Sequence, residues 1–252
     1  MKFNSLDTRL RVYETAHDQV VLPNIYMVAR IDGRGFTKLT KEKHNFDKPF
    51  DPRFRDMMIE TTKHLMTCGF DVSYAYTQSD EISLLFALNE NSFARKMRKF
   101  NSILAGEASA RFSLLLDNMA VFDCRISQLP RITDVADYFR WRHEDAHRNA
   151  LSAHCYWLLR KQGLTPIKAT EMIQGKPVSF KNELLFQNGI NFNDIPSWQK
   201  RGTGLYWKNF EKKGWNPKKQ QDEMVTRRAI AIDMELPLGD AYNDFILQLI
   251  KT

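Results

Sequence analysis

Asp32 and Asp80 are the residues best placed to do chemistry. Asp32 stands in the run Arg30-Ile31-Asp32-Gly33-Arg34-Gly35-Phe36-Thr37, and Asp80 in Tyr76-Thr77-Gln78-Ser79-Asp80-Glu81. Tyr26 to Ile31 reads as a buried strand, so Asp32 emerges at its end, while Asp80-Glu81 sits where one alternating run hands over to the next. If these strands are neighbours in one sheet, the two aspartates converge at one edge. Carboxylates that close repel, and a cation offsets the repulsion. Magnesium takes one or two carboxylates together with substrate phosphates and water, so a pair of aspartates is a sufficient protein contribution. Two such ions, about 4 Å apart, can activate an attacking hydroxyl and stabilise a leaving pyrophosphate. Each turn taken alone also reads as an ordinary surface turn.

The loop after Asp32 carries glycines at 33 and 35, which lets backbone amides turn inward as an anion nest for a triphosphate. Neither Gly-x-x-x-x-Gly-Lys-Ser/Thr nor Gly-x-Gly-x-x-Gly occurs, which excludes the two commonest nucleotide motifs. Gly-x-Ser-x-Gly and His-Glu-x-x-His are also absent, so serine hydrolysis and zinc peptidase chemistry drop out. His143 and His147 share a helix face, yet Arg142 and Arg148 beside them suit a phosphate-facing or exposed role better than a metal.

The elements that must position these residues alternate in type. After the strand at 26–31, Asp51-Pro52 supplies an N-cap and a first-turn proline for a helix reaching Gly69. Val72, Tyr74 and Tyr76 alternate, Gln78 to Glu81 turns, and Ile82 to Leu88 alternates again, which predicts a hairpin with the acids at its tip. A helix is expected over 92–116, with Arg95, Lys96, Arg98 and Lys99 near its start, where cations oppose the helix dipole. A strand follows over 120–129. Strand, helix, strand, strand, helix, strand is the ferredoxin-like split βαββαβ order, so the fold class is α+β. Beyond a soft boundary at Pro130, helices are expected over 134–161 and from Pro166, with short strands and a basic loop from Gly202 and one further strand over 225–234. Residues 1–130 then form a catalytic core, and 131–252 a helical, basic region packed on it.

The chain of 252 residues carries a net charge of +7, which makes a polyanion partner plausible. Between Trp198 and Lys219, seven cations (Lys200, Arg201, Lys208, Lys212, Lys213, Lys218, Lys219) interleave with five aromatics (Trp198, Tyr206, Trp207, Phe210, Trp215). RNA contact and a solvated basic loop with core aromatics are both open readings of that segment. Cys68, Cys124 and Cys155 are odd in number and widely spaced, so they read as small core residues. With no run long enough to span a membrane and no apolar leader core, a cytoplasmic address and no membrane partner are expected.

Several ordered motifs resemble the tRNA-His guanylyltransferase family. They are Arg30 to Leu39, Glu42 to Pro49, Gln78 to Phe86, Phe122-Asp123-Cys124-Arg125, Tyr138 to His147, Gly163 to Pro166, Lys181 to Phe186 and Lys200 to Thr203. The resemblance covers about residues 5 to 207 and implies a polymerase-like palm that adds nucleotides to tRNA 5′ ends in the 3′-to-5′ direction. It implies that Asp32 and Asp80 hold two magnesium ions with the Gly33 carbonyl as a further ligand, and that the amides of Gly33 to Thr37 cradle the incoming triphosphate. Glu81 is implied as either a metal-site neighbour or a proton acceptor. His44, Lys48, Asp51 and Ser79 match positions near the nucleotide sites. Arg95, Lys99, Lys181 and Asn182 match expected contacts to triphosphate or the tRNA end. Arg98, His147, Asn149, Lys200, Arg201 and Lys208 complete that candidate set. ATP would activate a 5′-monophosphate, and the 3′-hydroxyl of GTP or another nucleoside triphosphate would displace AMP. A homotetramer is expected by the same resemblance.

Where the eukaryotic enzymes carry His-Ile-Asn-Asn, this chain has His147-Arg148-Asn149-Ala150. Its compact length also resembles the bacterial and archaeal branch of the family. Template-directed repair of 5′-truncated tRNA is therefore the first expectation, with dedicated tRNA-His guanylylation as runner-up. A nucleotide cyclase and a non-catalytic RNA-binding module are more remote alternatives.

Overall fold

The computed structural model of the chain describes residues 3–40, 44–216 and 220–251. In chain order the elements are α1 (Phe3–Thr15), β1 (Tyr26–Gly33), α2 (Phe36–Lys38), α3 (Pro52–Leu65), β2 (Val72–Gln78), β3 (Glu81–Phe86), α4 (Met97–Leu116), β4 (Phe122–Leu129), α5 (Ile132–Lys161), α6 (Pro166–Ile173), α7 (Val178–Phe186), α8 (Ser197–Arg201), β5 (Thr203–Asn216), β6 (Gln221–Asp233) and α9 (Asp240–Lys251). One six-stranded sheet runs β4-β1-β3-β2-β5-β6, antiparallel at every pairing. Its first four strands, with α3 and α4 as the crossovers, make the α+β split motif that the alternation predicts.

Period-two burial divides the side chains between two faces. Ile31, Ile82 and Leu84 pack with Met58, Phe100, Leu104 and Phe112 beneath α3 and α4. Val28, Tyr74, Tyr76 and Leu85 pack with Val135, Phe139, Tyr242 and Ile246 beneath α5 and α9. Fully burying one such side chain contributes about 1.5–3 kcal/mol. A third cluster, with Leu151, Cys155, Ala169 and Leu185, joins the distal half of α5 to α6 and α7. All three cysteines are free thiols. Among the described residues, no helix is long and apolar enough to cross a membrane.

Two expectations need correction. The helix expected over 92–116 begins only at Met97, because Phe93, Ala94 and Arg95 turn through positive φ (51, 50 and 58°). Such residues cost of order 1 kcal/mol each. The turn aims the Arg95 guanidinium inward, where it donates to the carbonyls of Val21, Leu88, Glu90 and Ile25. In the tail, moreover, the strand expected over 225–234 is β6, Gln221–Asp233, but the segment expected as short strands and loop before it is one long strand, β5. β5 pairs with β2 only from Thr203 to Tyr206, yet it pairs with β6 from Gly204 to Asn216. Most of this hairpin therefore runs on as a two-stranded ribbon past the sheet. Lys218 and Lys219 of the basic run, and Glu42 and Lys43 of the motif at 42–49, lie outside the described residues.

Candidate active site

The sheet's ladders line up the acidic residues. Asp32 stands opposite Glu81 on β3 and opposite Asp123 on β4. Two residues further in, Arg30 stands opposite Ser83 and Arg125. Directly opposed residues share a face, so an acidic row and a row with two arginines both lie on the α5 side. The Gly33 N–H donates to the Asp80 carbonyl at 3.0 Å, which ties the two acidic turns together. A Cβ on Gly33 would come within 2.5 Å of the Phe36 ring, and that ring is locked in the core against Phe54, Phe112 and Phe122. Gly35 takes φ +74° before α2. Arg34 N–H donates to Val121 at 2.8 Å. The amides of Gly33 and Arg34 are thus engaged within the sheet, which narrows the expected phosphate cradle to those of Gly35, Phe36 and Thr37.

Charge at this edge is finely balanced. Ser79, at φ +52° in the hairpin turn, donates its hydroxyl to Asp80 at 3.0 Å. Burial nevertheless pushes the Asp80 carboxyl up to about 6, with the negative charges of Asp32 and Glu81 adding to the effect. Asp32 accepts from Arg30 at 3.2 Å and from Arg125 at 3.4 Å. Glu81 accepts from Arg30 on one oxygen and from Arg142 at 2.5 Å on the other. A guanidinium on each oxygen makes Glu81 a brace between β1 and α5 rather than an open ligand or proton acceptor. Among the described residues, no group of three or more His, Cys, Asp or Glu is arranged to hold a metal. The charge that Asp80 resists and the all-oxygen donor pair fit a hard cation that also needs phosphate and water oxygens.

Beside this edge opens a cleft of about 500 Å³ between the α3 side and the distal half of α5. Thr37, Ser79, Asp80 and Glu81 line its inner end, and Lys48, Asp51, Arg142 and Asn149 its walls. Phe46, Phe50, Tyr156, Trp157 and Trp198 provide flat apolar surface. Lys48 Nζ donates to the Thr40 carbonyl at 2.5 Å and lies 5.9 Å from the Trp157 ring. Asp51 is a structural wall. It is buried, it caps α3 by accepting from Arg53 N–H at 2.7 Å, and the Arg53 guanidinium holds its carboxyl down at about 2. Lys181 reaches the cleft wall by donating to Ser152 Oγ at 2.9 Å, and Asn182 donates to the Val178 carbonyl of its own helix. His44 is not part of the cleft lining and lies 3.4 Å from the Asn118 amide.

Other expected contacts lie elsewhere. Arg95, Arg98 and Lys99 sit at the start of α4, beside the Tyr26 end of β1, whereas Asp32 is at the other end. Arg95 reaches the Ile25 carbonyl, and the length of β1 from there to Asp32 is about 23 Å. Arg95 is internal, Arg98 is paired with Asp18, and Lys99 lies 5.7 Å from the Phe93 ring. Lys200 is buried and donates to the Asn193 carbonyl at 2.7 Å, and burial depresses its pKa. Arg201 donates to the Leu236 carbonyl at 3.1 Å. His147 packs on Phe192 at 5.3 Å, and His143 is a buried ring stacked 4.4 Å from Tyr242, not an exposed one. Lys208 is exposed on the ribbon. Sequence reasoning missed Arg30, Arg125 and Arg142 as the partners of the carboxylates. Arg30 and Arg125 stand beside acidic residues in the sequence, whereas Arg142 gave no local sign of its partner.

A family model described as tRNAHis guanylyltransferase matches residues 7–130, and one described as Thg1 C terminal domain matches 133–235. A mouse protein named probable tRNA(His) guanylyltransferase is 32% identical over 241 residues, 88% of this chain and 80% of that one. The tRNA(His) guanylyltransferase of Debaryomyces hansenii is 32% identical over 231 residues, 86% and 87% of the two chains. A bacterial Thg1-like protein solved in complex with ATP superposes with a TM-score of 0.76 at 28% identity, covering 98% of this chain and all of that one. The Saccharomyces cerevisiae tRNA(His) guanylyltransferase superposes with a TM-score of 0.70 at 26% identity, covering 85% and 94%. On matched domains, on relatives aligned over most of both chains, and on a shared fold, this chain belongs to the tRNA-His guanylyltransferase family of nucleotidyltransferases.

Proposed function

We propose that this chain joins guanosine to the 5′ end of tRNA, by attack of a nucleotide 3′-hydroxyl on an activated 5′-phosphate. The observation that carries the reading is the pair of acidic turns tied by the Gly33–Asp80 hydrogen bond, with Asp80 lining a cleft of nucleotide size. The names of the aligned relatives favour guanosine addition over the repair activity that the motif at 147–150 suggests.

Asp32, Asp80 and the Gly33 carbonyl would hold magnesium. Bound there, the ion would neutralise charge on the reacting phosphates and favour in-line displacement. The chain itself supplies the rest. The amides of Gly35 to Thr37 face a phosphate, the aromatic cleft takes a base, and the Arg30–Glu81–Arg142 brace holds β1, β3 and α5 in register while the ends are brought together. ATP and GTP are the substrates of this reading. A homotetramer is a part of it that rests on the family resemblance, and a cytoplasmic address is a further part of the reading.

The test is incorporation of labelled GTP into tRNA-His transcripts bearing 5′-monophosphate (with ATP) or 5′-triphosphate. Asp32→Ala and Asp80→Ala are each expected to lower kcat/KM by at least about a thousandfold while melting normally. Normal extension by Asp80→Ala would remove the carboxylate assignment.

Template-directed repair is a second reading, supported by the fuller superposition on bacterial Thg1-like proteins than on the yeast enzyme. Transcripts shortened by one or two 5′ nucleotides, with matched or mismatched templates, separate the two readings.

A further inference from the structure

Trp141 is 55% exposed, although the guanidinium against its ring is the one that braces Glu81. Its place follows from the helix. Arg140 donates to Asp240 at 2.7 Å and His143 stacks on Tyr242, so α9 lies along one flank of α5. At 100° per residue, Tyr138 and Trp141 occupy the opposite flank, turned toward β1 and β4. The Trp141 ring meets Tyr138 edge-on at 5.9 Å, and the Arg142 guanidinium lies 4.8 Å from its centre. That same guanidinium is 2.5 Å from Glu81, and Glu81 stands opposite Asp32. The ring is therefore fixed a short chain of contacts from the acidic edge, with its outer surface open.

We propose that Trp141 is the stacking platform for the terminal base of the RNA 5′ end, the end whose phosphate is delivered to Asp32 and Asp80. The inference rests on the tRNA-end reading above. Arg125 is 57% exposed on the same face and reaches Asp32 at 3.4 Å, so a cation is at hand for the phosphate beside a stacked base. An open ring next to guanidinium groups is the combination that holds unpaired or terminal nucleotides. The incoming nucleotide has separate aromatic surface in the cleft, whose lining excludes Trp141. The two reactants thus approach the carboxylates from different sides of Arg142.

The experiment compares wild type, Trp141→Ala and Trp141→Phe in 5′-extension of a tRNA transcript. Trp141→Ala is expected to raise the KM for tRNA roughly tenfold, with the KM for GTP, the melting temperature and the oligomeric state unchanged. Trp141→Phe, which keeps a ring, should recover most of the loss. A wild-type KM for tRNA in Trp141→Ala, an equal loss for GTP, or no recovery by phenylalanine overturns the proposal. If wild type extends no tRNA, the nucleotidyl-transfer reading falls. Direct binding of 5′-labelled tRNA to the three proteins still decides the platform, since equal affinities overturn it and a tenfold loss confined to alanine supports it.

Discussion

Glu81 shows how far residue identity underdetermines a role. A glutamate beside a metal-type aspartate reads as a ligand or a base, yet each of its oxygens accepts from a different arginine, drawn from positions 51 and 61 residues away. Arg142 is nearly buried, so removing Glu81 strands its charge. Glu81→Ala is expected to lower stability by about 2–4 kcal/mol, measured by urea denaturation. A double-mutant cycle with Arg142→Ala should show a coupling on the order of 1–3 kcal/mol. Additivity within about 0.5 kcal/mol would mean that the pair is not the brace described. Arg95 teaches the same lesson, because its charge suggested phosphate while its guanidinium is satisfied by four carbonyls.

At the element scale, α5 decides how the site is held. Its first half carries Arg142 to the acidic edge, and its second half forms a wall of the cleft. His143 locks the helix to α9 through the Tyr242 stack. Burial, aided by the nearby positive charge of Arg201, depresses its pKa to about 4. Below about 6.5 the unfolded imidazole takes a proton that the folded one refuses until about 4. The unfolded state then binds more protons, so the contribution present at neutral pH is lost as pH falls through that window. Urea denaturation at pH 7.5 and 4.5 should show wild type losing roughly 2–3 kcal/mol more than His143→Gln. Equal losses in the two proteins would show that His143 is not buried neutral.

For the whole molecule, we read the holding of a long polyanion as divided between the ribbon and the cleft. The register puts Lys208, Phe210 and Lys212 on one face with Val225, Arg227 and Ala229, and Lys213 on the other, where it pairs with Asp222 at 2.7 Å. Lys208, Lys212 and Arg227 are exposed, which makes that face the proposed contact for the tRNA body. The triple variant Lys208→Ala, Lys212→Ala, Arg227→Ala should weaken tRNA binding and reduce its salt slope by about 2–3, read from affinities at several salt concentrations. Lys213→Ala should leave the slope nearly unchanged. An unaltered slope in the triple variant would return the ribbon to a solvated arm.

By itself the sequence determined the alternation of strands and helices, the hairpin with acids at its tip, and the order of family motifs, because these depend on local period, capping and turn chemistry. That was enough to set Asp32 at the end of a strand and Asp80 at a hairpin tip, and to read Asp51 as an N-cap. Only the tertiary structure decided which cations face the site. The sequence offered Arg95, Arg98, Lys99 and Lys200 as contacts, and folding either buried their charges, paired them or carried them to the far end of the sheet. It brought Arg30, Arg125 and Arg142 to the carboxylates instead. A side chain's charge is local, but its direction is set by strand register and helix rotation, and these are fixed by contacts between residues far apart in the chain.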